Sequence, residues 1–257
     1  MKINYYAITG KGTVREANED SILIDDLLIN FEDHYMMDSI MEKDITNQPV
    51  WLSVADGMGG HEAGEVASRI TLEKLRDAFA AESRELIKNP EKLKEVIAQI
   101  HSEVNLYGET AGNKGMGSTL TGALVNSENF LLYNVGDSRV YLFRDGYLQQ
   151  KTRDHTLKEQ TDLDVSKNII VSSIGGGRDD IMIDIYDLTG HIRVNDLLII
   201  CSDGLTDIDM VNYYDEFEDL IDQNKSDILV LCKKLYNYSI EKYSSDNISI
   251  IVIIFVA

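Results

Sequence analysis

SVADGMGGHEAGE, residues 53–65, decides how this chain is read. The stretch leaves an apolar run, Trp51-Leu-Ser-Val-Ala55, at an aspartate and then passes through four glycines. A glycine-rich turn of this kind suggests a phosphate cradle, yet Asp56 at its mouth would repel a bare phosphate. A dinucleotide fingerprint would need a third glycine at position 62, which is Glu62, and no Gly-Lys-Ser/Thr follows to make a phosphate-binding loop. What is left is a buried strand that delivers Asp56 at its carboxyl end, followed by glycines that let the backbone approach whatever Asp56 holds. A main-chain carbonyl can then join the carboxylate as an oxygen ligand, which suits a hard divalent cation. With the cation in place, the acidic mouth attracts phosphate.

The same grammar recurs along the chain. Asn18-Glu19-Asp20 precedes an apolar strand at 21–24, Leu197-Leu-Ile-Ile-Cys201 runs into Ser202-Asp203-Gly204, and Ser245-Asp246-Asn247 precedes the last apolar run. Taken singly, each aspartate reads equally as a turn residue or a helix cap. Taken together, Asp20, Asp56, Asp203 and Asp246 fit an octahedral Mg²⁺ or Mn²⁺ site completed by waters. The five His and two Cys are scattered without zinc spacing, so no soft-ligand cluster competes.

Composition narrows the partners. The 257 residues are 44% hydrophobic, with 2 Pro, no low-complexity tract and no internal repeat, which predicts a single domain over 1–257. The 44 acids against 24 Lys and Arg give a formal charge of −20, which argues against nucleic acid or an anionic membrane as a partner. The first residues lack the apolar core of a signal peptide and the late run 248–257 is half a membrane span, so a cytoplasmic monomer is expected. Cys201 and Cys232 lie in apolar runs and read as reduced core residues.

Periodicity predicts strands at 4–9, 21–24, 51–55, 119–125, 129–135, 139–143, 196–201 and 248–256. Helices are predicted at 62–80, 90–107 and 226–243. Strands in consecutive antiparallel runs with helices in pairs indicate an α+β fold, sheet on sheet with helices outside.

The ordered motifs resemble those of the bacterial metal-dependent protein phosphatases, the type 2C Ser/Thr phosphatases or PPM family. They are Arg15-x-x-Asn18-Glu19-Asp20, Val54-Ala-Asp-Gly-Met-Gly-Gly-His61, Gly117-Ser118-Thr119, Gly136-Asp137-Ser138-Arg139, Asp154-His155-Thr156, Ser202-Asp203-Gly204-Leu205-x-Asp207 and Asp246-Asn247. The resemblance implies a central antiparallel β-sandwich flanked on both faces by helix pairs, a four-layer αββα arrangement. It implies that Asp56 bridges two metals, that the Gly57 carbonyl completes one, and that Asp203 and Asp246 hold the other. Asp20, with Glu19, would act largely through water on the metals. Asp137 and Asp207, with Asp203, match positions of a third, looser metal. The implied reaction is hydrolysis of phosphoserine or phosphothreonine in a phosphoprotein by a hydroxide bridging two Mn²⁺ or Mg²⁺ ions. Arg15 would clamp the phosphate, and the substrates would be targets of a Ser/Thr kinase.

Three departures stand out. Many eukaryotic relatives carry His where this chain has Met58, which cannot donate a proton, so His61 is the local candidate for that role. The flap around 152–180 is short, with Ser172 where an Arg is common. The segment 26–50 is longer than the usual connection and reads as an exposed acidic loop, with a lid or partner-docking element as the alternative; His34 in it is given no metal role.

Overall fold

Ile248–Val256, ISIIVIIFV, is almost wholly β-branched or aromatic, and such residues fit a pleated surface covered on both faces. It becomes the centre of the larger sheet, hydrogen-bonded on one side to Lys2–Gly10 and on the other to Leu197–Cys201. The computed structural model describes residues 1–30, 32–58, 63–161, 169–206, 210–242 and 244–257, with the side chains of 210–213 also left aside.

In chain order the first strands are β1 (Lys2–Gly10), β2 (Ser21–Ile24), β3 (Leu27–Ile29), β4 (His34–Met36), β5 (Met41–Asp44) and β6 (Val50–Ala55). A two-residue β7 (Gly57–Met58) precedes the helices α1 (Ala63–Leu86) and α2 (Pro90–Ala111). Five strands follow: β8 (Gly117–Ser118), β9 (Leu120–Val125), β10 (Phe130–Val135), β11 (Arg139–Arg144) and β12 (Tyr147–Gln150). Then come α3 (Leu157–Gln160), β13 (Ile174–Gly175), β14 (Asp184–Asp187) and β15 (Leu197–Cys201). The chain closes with α4 (Met210–Asn224), α5 (Ile228–Glu241) and β16 (Ile248–Val256).

One sheet runs β12-β11-β15-β16-β1-β4, with β5 also on β1; the second runs β14-β10-β9-β6-β2-β3; a small third sheet is β13-β8-β7. The two large sheets face each other across a core that includes Leu52, Val54, Ala123, Leu132, Ile200, Ile251 and Phe255, where the Phe130 and Phe255 ring centroids lie 5.8 Å apart. α1 and α2 cover the outer face of the second sheet, where Phe79 packs against Trp51 and Tyr133 with ring centroids 5.5 and 6.0 Å apart. α4 and α5 cover the first sheet through Phe217, Ile221, Leu231 and Leu235. The four-layer αββα arrangement is therefore present. Each large side chain buried here contributes about 1.5–3 kcal/mol, offset by the entropy of ordering it.

Local signals set the helix ends. Asn89 caps α2, its side chain accepting the Lys92 N–H at 3.1 Å, with Pro at the start of the helix and left-handed Gly112 at its end. Asp227 caps α5 by accepting from Leu229 and Val230, both at 3.1 Å. Cys201 and Cys232 are buried and unbridged, as expected.

Two expectations change. The segment 26–50 is exposed over most of its length, as expected, but it is not a loop: β4 and β5 both pair with β1 and extend the edge of the first sheet. Glu42 pairs with Lys2 at 2.6 Å and Asp33 with Lys11 at 3.0 Å, and His34 packs its ring against Tyr236. α4 has no counterpart among the predicted helices, because its apolar positions are diluted by the carboxylate and amide neighbours in the run YYDEFEDLIDQN. The flap includes α3, capped by Thr156, and β13; its residues 162–168 lie outside the described residues.

Candidate metal centre

Antiparallel pairing gathers the strand-end carboxylates at one end of the sandwich. Ser21 is opposite Ala55, so Asp20 and Asp56 emerge side by side; Cys201 is opposite Ile250, which brings Asp203 near Asp246; and Val135 is opposite Leu120, which brings Asp137 toward the same edge.

The Asp56 peptide is held from both sides. Its N–H donates to Thr119 Oγ1 at 2.9 Å, and its carbonyl accepts from the Thr119 N–H at 2.8 Å and from Ser118 Oγ at 3.0 Å. The Gly-Ser-Thr motif is thus a clamp on the Asp56 turn. Gly57 follows in backbone contact with the start of α1: a Cβ there would lie 2.1 Å from the Gly64 carbonyl oxygen. Only glycine fits, which leaves the Gly57 main chain close to the carboxylates.

Asp20 is 1% exposed, and its Oδ2 accepts from Ser202 Oγ at 2.8 Å. Ser202 Oγ in turn accepts the Ser249 N–H at 2.9 Å, Ser249 Oγ meets Thr9 Oγ1 at 2.7 Å, and Asn18 donates to Thr9 Oγ1 at 2.8 Å. Asn247 ties the Arg15-to-Asp20 loop down, accepting from the Glu19 N–H at 2.9 Å and donating to the carbonyls of Ala17 and Lys11 at 2.9 and 3.2 Å. Asp203 opens a 3-10 turn, Asp203–Leu205, whose Gly204 and Leu205 carbonyls are held by Ser244 and Ser239.

Asp137 is 5% exposed beyond Gly136, whose N–H donates to His155 Nδ1 at 3.2 Å. That bond makes Nδ1 an acceptor, so the His155 proton sits on Nε2 and faces Asp184 Oδ2 at 3.3 Å. Burial pushes the His155 pKa down, keeping the ring neutral. Arg139 forks onto Asp154 with contacts of 2.6 and 3.0 Å. Thr119 Oγ1 meets Ser138 Oγ at 2.7 Å and so links the Asp137 turn to the Asp56 turn.

The electrostatics are unbalanced within the chain. Burial pushes the Asp20 carboxyl up to about 7, with the charges of Asp246 and Glu19 adding to it and serine hydrogen bonds opposing it. Asp56 is raised well above the usual carboxylate range, first by burial and then by the charges of Asp20, Asp203, Asp246 and Asp137. Asp137 is pushed up to about 6, by burial and then by Asp154, with Arg139 opposing. Grouped carboxylates of this kind are costly unless a cation compensates them.

Two observations fit such a cation: Asp20 Oδ1 and Asp137 Oδ1 are buried and accept no hydrogen bond. Among the described residues no three His, Cys, Asp or Glu side chains stand in an arrangement that could by itself hold a metal ion. Arg15, which is half exposed, brings a guanidinium to the site, 2.6 Å from Asp246 Oδ2.

Asp20, Asp56, Gly57, Asp137, Asp203, Asp246 and Arg15 are therefore assembled at one edge. His61 and Asp207 lie outside the described residues. The supporting hydroxyls and amides are the functional residues that motif reading passes over. Ser202 and Asn247 stand inside the motifs beside a carboxylate, and Thr119 stands in one two residues after a glycine, and that placement is the available signal; Ser249, inside the last strand, offers none.

Comparison with known proteins agrees with this arrangement. The sequence model described as Protein phosphatase 2C matches residues 36–229. The serine/threonine phosphatase stp of Listeria monocytogenes is 34% identical over 216 residues, covering 78% of this chain and 77% of the relative. The structure of the S. agalactiae serine/threonine phosphatase superposes with a TM-score of 0.80 at 24% identity, over 99% of this chain and all of that one (100%). The catalytic domain of the serine threonine protein phosphatase PstP, crystallised with 2 manganese ions, superposes with a TM-score of 0.74 at 25% identity over 100% of both chains. The chain described here belongs to the protein phosphatase 2C family.

Proposed function

We propose that the carboxylate edge hydrolyses phosphoserine and phosphothreonine in phosphoproteins with the help of Mn²⁺ or Mg²⁺. The observation that carries this reading is the grouping of Asp20 and Asp137, both buried and each with an orphaned carboxylate oxygen, with part-buried Asp56, beside Asp203 and Asp246. The manganese ions of the crystallised PstP domain support the same core pair here. Asp56 would be shared between the two ions, the Gly57 carbonyl would complete one and Asp203 with Asp246 the other. Asp20 and Glu19 would orient water, and Asp137, with Asp203 and Asp207, would hold a looser third ion. Cations held there would supply Lewis acidity and lower the pKa of a water enough for hydroxide to be available to attack phosphorus near neutral pH.

The chain's own residues do the rest. Thr119 and Ser118 fix the Asp56 peptide, and Ser202 keeps Asp20 in one rotamer, so the carboxylates meet substrate without reorganising. Arg15, able to swing from Asp246 because half of its side chain is exposed, offers a fork that can hold two phosphate oxygens. Met58 carries no proton to give, which leaves the leaving group to His61 or to solvent.

Residues 1–257 would act as one catalytic domain with a short flap at 152–180, a cytoplasmic monomer whose substrates are targets of a Ser/Thr kinase. Among the described residues no helix is long and apolar enough to cross a membrane. A substrate panel tests the assignment: kcat/KM for a phosphothreonine peptide should exceed that for a generic aryl phosphate by at least about tenfold. Equal values would remove the protein substrate from the reading.

A further inference from the structure

The small sheet β13-β8-β7 joins two parts of the chain with separate tasks. Gly57 pairs with Ser118 and Met58 with Gly117 on one side of β8, and Gly117 pairs with Gly175 on the other. The Gly176 N–H adds a 2.7 Å bond to the Met116 carbonyl. The turn that closes the flap is therefore bonded, through β8, to the turn that carries Asp56 and Gly57.

That flap turn cannot hold itself. Gly175, Gly176 and Gly177 all have positive φ, at 74, 73 and 69°, a backbone that glycine adopts freely but only at a high cost in conformational entropy. α2 supplies the restraint. His101, 3% exposed, accepts the Gly175 N–H on Nδ1 at 3.1 Å, so its proton sits on Nε2, which donates to the Arg178 carbonyl at 3.0 Å. Asn105, one turn further along the same helix face, accepts the Gly177 N–H on Oδ1 at 2.9 Å and donates to the same Arg178 carbonyl at 2.8 Å. Gly177 and Arg178 then form one wall of an open cavity of about 630 Å³, also lined by Gln160, Asp179 and Met182. His101 and Asn105 direct their hydrogen bonds to this turn, away from the carboxylates of the metal edge.

We propose that His101 and Asn105 are positioning residues that lock the 175–178 turn to α2 and, through the small sheet, set the flap-side wall and the Asp56-Gly57 turn together. Its kinetic consequences rest on the phosphatase reading; the linkage itself does not.

Hydrogen–deuterium exchange on the metal-free chain reads the linkage without using activity. His101→Ala and Asn105→Ala should each speed exchange about tenfold in peptides covering 174–178 and also in those covering 56–58 and 116–119. His101→Asn, whose Oδ1 can take the Gly175 N–H, should return most of the protection. Faster exchange confined to 174–178 would overturn the linkage, and unchanged exchange in both alanine variants would overturn the clamp. Asn105 is only part-buried, so its variant decides the matter if His101→Ala does not fold.

In the kinetic arm, Asn105→Ala should raise the phosphopeptide KM and the Mn²⁺ concentration for half-activation, each by about three- to tenfold, with kcat at saturation little changed. Wild-type values for both in a variant with faster exchange would overturn the positioning role. A wild-type chain without metal-dependent turnover would sink the phosphatase reading instead, and the exchange result would still decide the clamp.

Discussion

Asp20 shows how one buried carboxyl makes stability and metal binding oppose each other. An unfolded Asp titrates at about 3.9, and the folded group is raised to about 7 by burial. The metal-free native state therefore holds the proton more tightly than the unfolded chain does. The stability this contributes is complete below about pH 4 and is lost as pH rises through about 7. Metal binding requires the ionised form, so Mn²⁺ affinity should fall as pH drops below about 7.

Asp20→Asn removes the charge while its side-chain oxygen can still accept from Ser202. In EDTA at pH 8 it should be more stable than the wild type by about 2–4 kcal/mol, with little difference at or below about pH 4, and it should bind Mn²⁺ more weakly. Parallel melting profiles for the two proteins across this range would contradict the burial account. Asp20, Asp56, Asp203 and Asp246 are legible in the sequence because each flanks an apolar run. The bond between Thr9 and Ser249 is not, because a hydroxyl inside a strand looks the same in sequence whether it bonds a neighbour or water.

At the scale of elements, legibility follows hydrophobic contrast. Ile248–Val256 has the same bounds in sequence and structure because an unbroken β-branched run has one reading as a buried central strand. β4 and β5 escape notice because edge strands carry polar and charged residues on their open side, and MEKD has almost no apolar signal. α1 is longer than predicted, continuing from 80 to Leu86, since its last turns are exposed and polar except at Leu86 itself.

The helix layer over the second sheet rests on Phe79, fully buried between Trp51 and Tyr133. Phe79→Ala should cost about 3–5 kcal/mol in urea unfolding, through lost transfer energy and the cavity left behind. A loss below about 1 kcal/mol would mean that α1 can settle onto the sheet without it.

The whole molecule carries a formal charge of −20, and the proposed active edge gathers several of its carboxylates in one place. Long-range repulsion should make the enzyme prefer phosphopeptides with Lys or Arg beside the phosphoresidue over those with Asp or Glu. A preference of about tenfold in kcat/KM is expected at low ionic strength, shrinking toward unity near 0.5 M salt as the charges are screened. A preference that does not change with salt would place the discrimination in local contacts instead.

The fold class, the helix pair over the second sheet and the carboxylate set are all legible in the residue pattern, since each rests on a long apolar period or on an acid at the end of one. The joining of the flap turn to the Asp56 turn through β8 is not, since two-residue strands carry no periodicity. The most direct test of the metal-centre account is phosphate release from a phosphothreonine peptide, with and without Mn²⁺, by the wild type and by Asp56→Ala. The account predicts turnover that requires the metal and falls by about a thousandfold or more in the folded variant. A folded Asp56→Ala protein that retains the wild-type Mn²⁺-dependent rate would contradict it.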